Sequence, residues 1–214
     1  MSKKAVVLLS GGMDSATTLF MAKERGYKCI ALIFDYGQRN RREIKSAKNV
    51  AKKAGCPYIL AKVTLPRKGS SLLDPRIRIP KGRKRKAIPS TYVPARNTVM
   101  LSIALSYAES MRAHYIFIGA HTEDYSGYPD CRPGYFKAFN NVKNIGTKLG
   151  TKIKILTPLL NKSKSEIIIK GLQLGVPYRM TWSCYKGGLR PCGECDSCYY
   201  RRKGFRKAGV KDPL

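Results

Sequence analysis

The stretch from Ala5 to Ser15 constrains this chain more than any other. Ala5-Val6-Val7-Leu8-Leu9 is apolar at every position. As a strand it has no face to offer water, so it belongs inside a sheet covered on both sides. It runs straight into Ser10-Gly11-Gly12-Met13-Asp14-Ser15, a turn too glycine-rich and polar to continue the strand. Apolar residues then return at helical spacing at Ala16, Leu19, Phe20 and Ala22, and Gly26 stops that helix. A buried strand, a glycine turn and a helix in succession form the opening unit of an open α/β sheet.

The same alternation continues along the chain. Strands are predicted over 29–34, 58–63, 115–119 and 152–156, and helices over 39–54, 97–112 and 135–149. A further helix is opened by Ser163-Lys164-Ser165-Glu166, which reads as a capping box, and closed by Gly175-Val176-Pro177. Residues 66–95 are rich in Pro, Lys and Arg with no period and read as a long, partly mobile loop. The expectation is a Rossmann-like open parallel sheet of about five strands with helices on both faces, over residues 1–175. A cysteine-bearing segment, 176–214, packs on it. Ligands of such sheets sit beyond the carboxyl ends of the strands. The 10–15 turn, the Asp35-Tyr36-Gly37-Gln38 turn and the polar loop 120–134 all lie at that end and converge on one crevice.

Composition sets outer bounds. The chain has 214 residues, 43% hydrophobic and 26% charged, which is the make-up of a folded globular protein. No apolar run approaches the ~20 residues that span a bilayer. The first apolar run is also shorter than a signal-peptide core, so a cytoplasmic location is expected and a membrane one is not. The net charge of +29 attracts polyanions. Part of it is clustered, from Arg67 to Lys86 and again at Arg201, Arg202, Lys203, Arg206, Lys207 and Lys211. These read as a solvated basic loop and tail, consistent with weak affinity for nucleic acid.

Of the seven cysteines, Cys184, Cys192, Cys195 and Cys198 are bunched. Thiolates separated by two residues can turn onto one cation, and four of them close a tetrahedron with no open position. One structural zinc per chain is the expected occupant. An iron–sulfur cluster uses the same ligands, and a disulfide pairing would need an oxidising compartment. Cys29 reads as a small core residue and His114 as a surface one.

The Ser10–Ser15 turn suits an anion: its glycines let backbone amides approach, and a helix N-terminus follows. It is neither a Walker loop nor a Gly-x-Gly-x-x-Gly turn. An Asp inside it has to serve a metal or hold the loop. Ser-Gly-Gly-x-Asp-Ser resembles the signature of the PP-loop pyrophosphatase family. Asp35-Tyr36-Gly37-Gln38-Arg39, Tyr92-Val93-Pro94-Ala95-Arg96-Asn97, residues 124–133 and Trp182-Ser183-Cys184-Tyr185 make the chain similar, within it, to the 7-cyano-7-deazaguanine synthases. The resemblance runs from Val6 to about Arg202.

That resemblance implies an ATP-dependent ligase acting on small molecules: 7-carboxy-7-deazaguanine, ammonia and ATP. It would work through an acyl-adenylate and an amide to the nitrile used in queuosine and archaeosine. It also implies Mg2+ with the ATP, and a homodimer. Residues Leu9, Ser10, Gly11, Gly12, Met13, Asp14, Ser15, Ala16 and Arg96 would hold ATP, with Asp14, Ser15 and Arg96 serving catalysis. Tyr36, Gln38, Tyr128, Asp130 and Arg132 would bind the deazaguanine, with Tyr125 a second stacking candidate and Lys162 or Arg132 a phosphate contact. Cys131 lies in the same stretch, but adenylation needs no nucleophilic thiol. His121 is either a nucleotide contact or a polar loop residue. Two departures stand out: Ala95 replaces an expected glycine before Arg-Asn, and Asn40 replaces a common histidine. Three alternatives stay open: a PP-loop enzyme that modifies tRNA directly, a paralogue that attaches a deazaguanine to DNA or protein through an amide, and a zinc-stabilised nucleic-acid-binding module.

Overall fold

Alternate side chains of the first strand point to opposite faces, and in the computed structural model both faces are dry. The structure describes residues 3–81, 88–121 and 128–214. Strand β1 (Lys4–Leu8) lies at the centre of a five-stranded sheet of order β3-β2-β1-β4-β5, with β2 (Lys28–Asp35), β3 (Tyr58–Lys62), β4 (Tyr115–Phe117) and β5 (Lys154–Leu156). Every pairing is parallel, for example Val6 beside Ile30 on one side and Ile116 on the other. The strand ends differ from their predicted spans by a residue or two, as end-fraying allows.

Ala5, Val7 and Leu9 face one core with Ala31 and Ile33, against α1 (Met13–Glu24) and α2 (Arg42–Lys53). Val6 and Leu8 face the other with Leu32 and Phe34, against α3 (Arg96–Ser110) and α4 (Pro133–Ile145). This division explains the unbroken apolar run.

Helix α5 (Lys164–Gln173) carries the predicted capping box: Ser163 Oγ accepts from the Glu166 amide and the Glu166 carboxylate accepts from the Ser163 amide. Two helices start elsewhere than the apolar pattern suggests. Helix α1 begins inside the glycine turn, because Gly12 is extended and acts as its cap. Helix α2 begins at Arg42, because Asn40 Oδ1 accepts from the Arg42 amide and holds the chain in a turn.

Two sequence expectations need correction. Much of the 66–95 loop is packed: Leu72, Leu73 and Val93 join the second core, and Ser70 and Ser71 are fully buried. Its residues 82–87 lie outside the described ones, as does the 122–127 stretch that includes Tyr125. The basic tail is solvated at Arg202, Arg206, Lys207 and Lys211, as expected, but it is a helix docked through Arg201 rather than a free tail. It forms α6 (Asp196–Lys207), whose Arg201 and Phe205 are buried, and Phe205 enters the first core beside Ile168 and Tyr178. Lys and Arg dominate its composition, which masks a helix opened by Asp196 and stopped before Gly209 at φ +71°.

Candidate active site

Strand order reverses between β2 and β4 on either side of β1, and crevices of open α/β sheets form at such points. A cavity of about 290 Å³ opens there, floored by Leu8, Leu9 and Ile118. Of the predicted ATP residues, Leu9, Ser10, Gly12, Met13, Asp14, Ser15 and Arg96 line it. Gly11 and Ala16 stand behind them. Gly11 has φ +87°, and a Cβ on it would overlap the Glu43 carbonyl oxygen. Only glycine fits there, by conformation and by space. Ala16 is fully buried, and its amide closes the first turn of α1 on the Gly12 carbonyl at 3.1 Å.

The turn is cross-braced by hydroxyls. Ser15 Oγ donates to the Gly12 carbonyl at 3.1 Å and accepts from the Ser10 amide at 3.2 Å. It also lies 3.0 Å from Ser10 Oγ. Asp14 points across the cavity to Lys164, whose Nζ donates to both carboxylate oxygens at 3.0 and 3.1 Å and lies 2.8 Å from His121 Nε2. Burial would raise the Asp14 carboxyl, but Lys164 and His121 outweigh it and hold the group well below the usual carboxylate range. Gly119 backs this corner: a Cβ there would sit 2.9 Å from the Asp14 carbonyl carbon. Lys164 is legible in the sequence as the first residue of a capped helix but not as a site residue. Lys162, two positions earlier, does not line the cavity.

Arg96 opens α3 opposite the glycine turn. Its guanidinium donates to Tyr36 Oη at 3.4 Å. Burial opposes the charge, but Tyr36 and Glu43 hold the guanidinium protonated. Glu43 lies behind Tyr36; burial raises its carboxyl to about 7, against the lowering effects of Arg96, Gln38 and Tyr36. Ala95 just before Arg96 adopts φ +50°, a left-handed conformation that accounts for the expected glycine.

The predicted base-binding residues separate into two groups. Tyr36 and Tyr128 line the cavity; the Tyr128 hydroxyl lies 2.7 Å from Thr91 Oγ1 and its ring packs beside Tyr92. Gln38, Asp130 and Arg132 do not line it. Gln38 is a brace, donating to the Phe34 carbonyl and Glu43 and accepting from the Tyr36 amide. Asp130 caps α3, its Oδ2 accepting from the Asn97 amide at 3.0 Å. Arg132 is exposed at the start of α4. Cys131 does reach the cavity, where Asn97 Nδ2 contacts its sulfur at 3.4 Å.

The C-terminal segment supplies the remaining wall with Trp182, Ser183, Tyr185, Tyr200 and Arg201. It is shaped by Cys184, Cys192, Cys195 and Cys198, whose sulfurs lie within 4.8 Å of one another. A tetrahedron of ~2.3 Å Zn–S bonds has edges of about 3.8 Å, and Cys192 Sγ lies 4.0 Å from Cys198 Sγ. The Cys192 and Cys195 amides donate to the sulfurs of Cys184 and Cys192, the usual company of thiolates. The residues fit a zinc ion held by four thiolates, which would be structural because no position would be left for substrate. Asn40, at the site of the missing histidine, donates to the Cys184 carbonyl at 2.6 Å and ties α2 to this segment.

Residues 4–209 match a family described as queuosine biosynthesis protein QueC. This chain belongs to the QueC family. Relatives of that family agree over full length: a 7-cyano-7-deazaguanine synthase of Thermoplasma volcanium is 51% identical across 100% of this chain and 91% of its own. That of Thermosynechococcus vestitus is 48% identical across 100% and 95%. Among solved structures, a 4-thiouridine synthetase in complex with RNA and bound ATP superposes with a TM-score of 0.56 at 20% identity, covering 97% of this chain and 50% of that one. NMN synthetase from Francisella tularensis gives 0.50 at 17%, covering 98% and 79%. At these identities the likeness is of fold.

Proposed function

We propose that this QueC-family chain converts 7-carboxy-7-deazaguanine, ammonia and ATP into 7-cyano-7-deazaguanine. The observation that carries this reading is the cavity at the sheet's reversal point, which the glycine turn with its hydroxyls, the rings of Tyr36 and Tyr128, and Arg96 beside Tyr36 line together. Identity near 50% along the whole chain to synthases of that name supports it.

The chemistry explains the arrangement. A carboxylate has no leaving group, so its oxygen must attack the α-phosphorus of ATP, expelling pyrophosphate and giving an acyl-adenylate. Ammonia then displaces AMP to leave an amide and a proton. The amide oxygen attacks a second ATP in the same way, and loss of AMP and a proton leaves the nitrile. The protein's work is to position the reactants and stabilise charge. The Gly12 amide, Ser10 and Ser15 hold the β,γ-phosphates. Lys164 and Asp14 serve the same end of the triphosphate, where Mg2+ would share the charge. Arg96 faces the reacting carboxylate and α-phosphate, a pairing that suits a guanidinium fork. Tyr36 and Tyr128 flank the planar base. Gln38 and Asp130 act one layer back, by holding Tyr36 and α3.

The partners of this reading are small molecules. A cytoplasmic site of action, a homodimer and a weak, salt-sensitive affinity for nucleic acid complete it; among the described residues no helix is long and apolar enough to cross a membrane. Incubation with 7-carboxy-7-deazaguanine, ammonium and ATP, followed by mass spectrometry, tests it. The expected products are the nitrile, AMP and pyrophosphate. Arrest at the amide, or pyrophosphate release only when tRNA is added, would replace it with another PP-loop activity.

A further inference from the structure

Arg201 is only 3% exposed and stands in the cavity wall, yet its donors are already in use. Nε and Nη2 donate to the Asp212 carboxylate at 2.8 to 3.1 Å. Nη2 also donates to the Tyr178 carbonyl at 3.1 Å. Nη1 donates to Thr181 Oγ1 at 2.8 Å and reaches Ser183 Oγ at 3.5 Å. A planar fork engaged on every nitrogen works as a clamp and has little left to offer a phosphate.

What it clamps is the strap 178–183. Between the two held hydroxyls lies Trp182, whose amide donates to the Gly11 carbonyl at 2.8 Å. Arg42 covers the Trp182 ring at 3.9 Å, and its indole N–H donates to the Cys184 carbonyl at 3.0 Å. The Gly11 carbonyl and the Gly12 amide belong to one planar trans peptide, so they point in opposite directions. Fixing the carbonyl on Trp182 therefore aims the Gly12 amide the other way, to Ser10 Oγ at 3.3 Å on the cavity side.

We propose that Arg201 and Asp212 are positioning residues for ATP. The Asp212 carboxylate locks the Arg201 guanidinium, the guanidinium fixes the strap, and the strap sets the direction of the Gly12 amide that meets phosphate. This rests on reading 10–15 as the triphosphate site. It gives the last residues of the chain a part in the active site, although no atom of Asp212 lines the cavity.

Asp212→Asn keeps the shape and removes the charge, and Asp212→Glu restores it. In the full-length protein, calorimetry with ATP and separately with 7-carboxy-7-deazaguanine reads the effect, alongside zinc content and hydrogen exchange of the Trp182 amide. Asp212→Asn should weaken ATP binding about tenfold, the size of effect expected when one charge-assisted hydrogen bond is removed. It should speed exchange at Trp182, keep its zinc and leave affinity for the carboxylic acid within about twofold, and Asp212→Glu should recover much of the ATP affinity. Unchanged ATP affinity overturns the proposal, as does a parallel loss for both ligands, which is what plain destabilisation produces. Arg201→Lys is the harsher variant; if it does not fold, Asp212→Asn still decides, because Arg201 keeps its bonds to Tyr178 and Thr181. Wild-type protein that binds the carboxylic acid but no ATP refutes the triphosphate site itself, and with it this inference.

Discussion

At the scale of single residues, the site depends on groups whose polar atoms are already committed before ligand arrives. Ser15 is the hub of the glycine turn, bonded to Ser10 and to the Gly12 carbonyl. Ser15→Ala removes those braces while leaving the α1 backbone intact, so pyrophosphate release should fall on the order of 100-fold with the fold retained. Normal turnover by this variant would show that the turn does not hold the triphosphate. Glu43 gives a pH signature. Its carboxyl titrates near 7 in the folded chain against 4.5 when free, because burial disfavours the charge. The folded state therefore binds this proton more tightly than the unfolded one. The contribution is complete below about pH 4.5 and is lost as pH rises through 7, at up to about 1.4 kcal/mol per pH unit. Compared with Glu43→Gln, the wild type should lose more melting temperature between pH 5 and 7.5. Parallel curves for the two proteins would place Glu43 in an ordinary ionised state.

At the scale of elements, the entry to α3 shows how a sequence departure becomes a measurable strain. Ala95 sits at φ +50°, where a Cβ costs about 1 kcal/mol and glycine costs none. Part of that is offset by the extra freedom glycine has when unfolded. Ala95→Gly should therefore stabilise the protein by about 0.5 kcal/mol, read as a higher urea midpoint with an unchanged slope. A lower midpoint would mean that the turn tolerates alanine without strain. The elements that were readable in the sequence are those where burial follows a period. Strand β1 and the Ile167–Ile168 face of α5 both announce themselves, because their apolar spacing and capping signals agree. Helix α6 does not, because its buried side includes Arg201, and a charge in a core is invisible to hydropathy. The site divides in the same way. Local motifs located the glycine turn and Arg96, which line the cavity, and the four clustered cysteines. Lys164, Glu43 and Trp182 reach the cavity from distant parts of the chain, and only the sheet order brings them there. Gln38 and Asp130 sit in the right motifs, but local backbone demands engage their side chains first.

At the scale of the whole molecule, the cysteine segment and the α/β sheet share one core. Phe205 and Tyr178, C-terminal to α5, pack with Leu19 and Ile168. The Thr17 hydroxyl in α1 lies 2.8 Å from the Tyr178 hydroxyl, and Gly204 brings α6 against Lys164 and Ile168 so closely that a Cβ would collide with both. The four-cysteine loop hangs from that shared core through Trp182 and Asn40. A net charge of +29 works against holding the basic α6 on the sheet, since the field of the rest of the chain is repulsive. Closed thiolate sites contribute directly to folding, so removing the ion should destabilise everything attached to this core. Chelation should therefore lower one cooperative melting transition, by roughly 6–12 °C for a loss of about 3 kcal/mol in a chain of this size. On the proposed function, ATP affinity should be lost in the same titration, because the Trp182 anchor on the glycine turn goes with it. Raising the salt concentration should recover part of the melting temperature by screening the repulsion. Calorimetry resolving two transitions, with the higher one unmoved by chelator and still shifted upward by ATP, would show instead that 1–175 folds and binds nucleotide independently of its C-terminal segment.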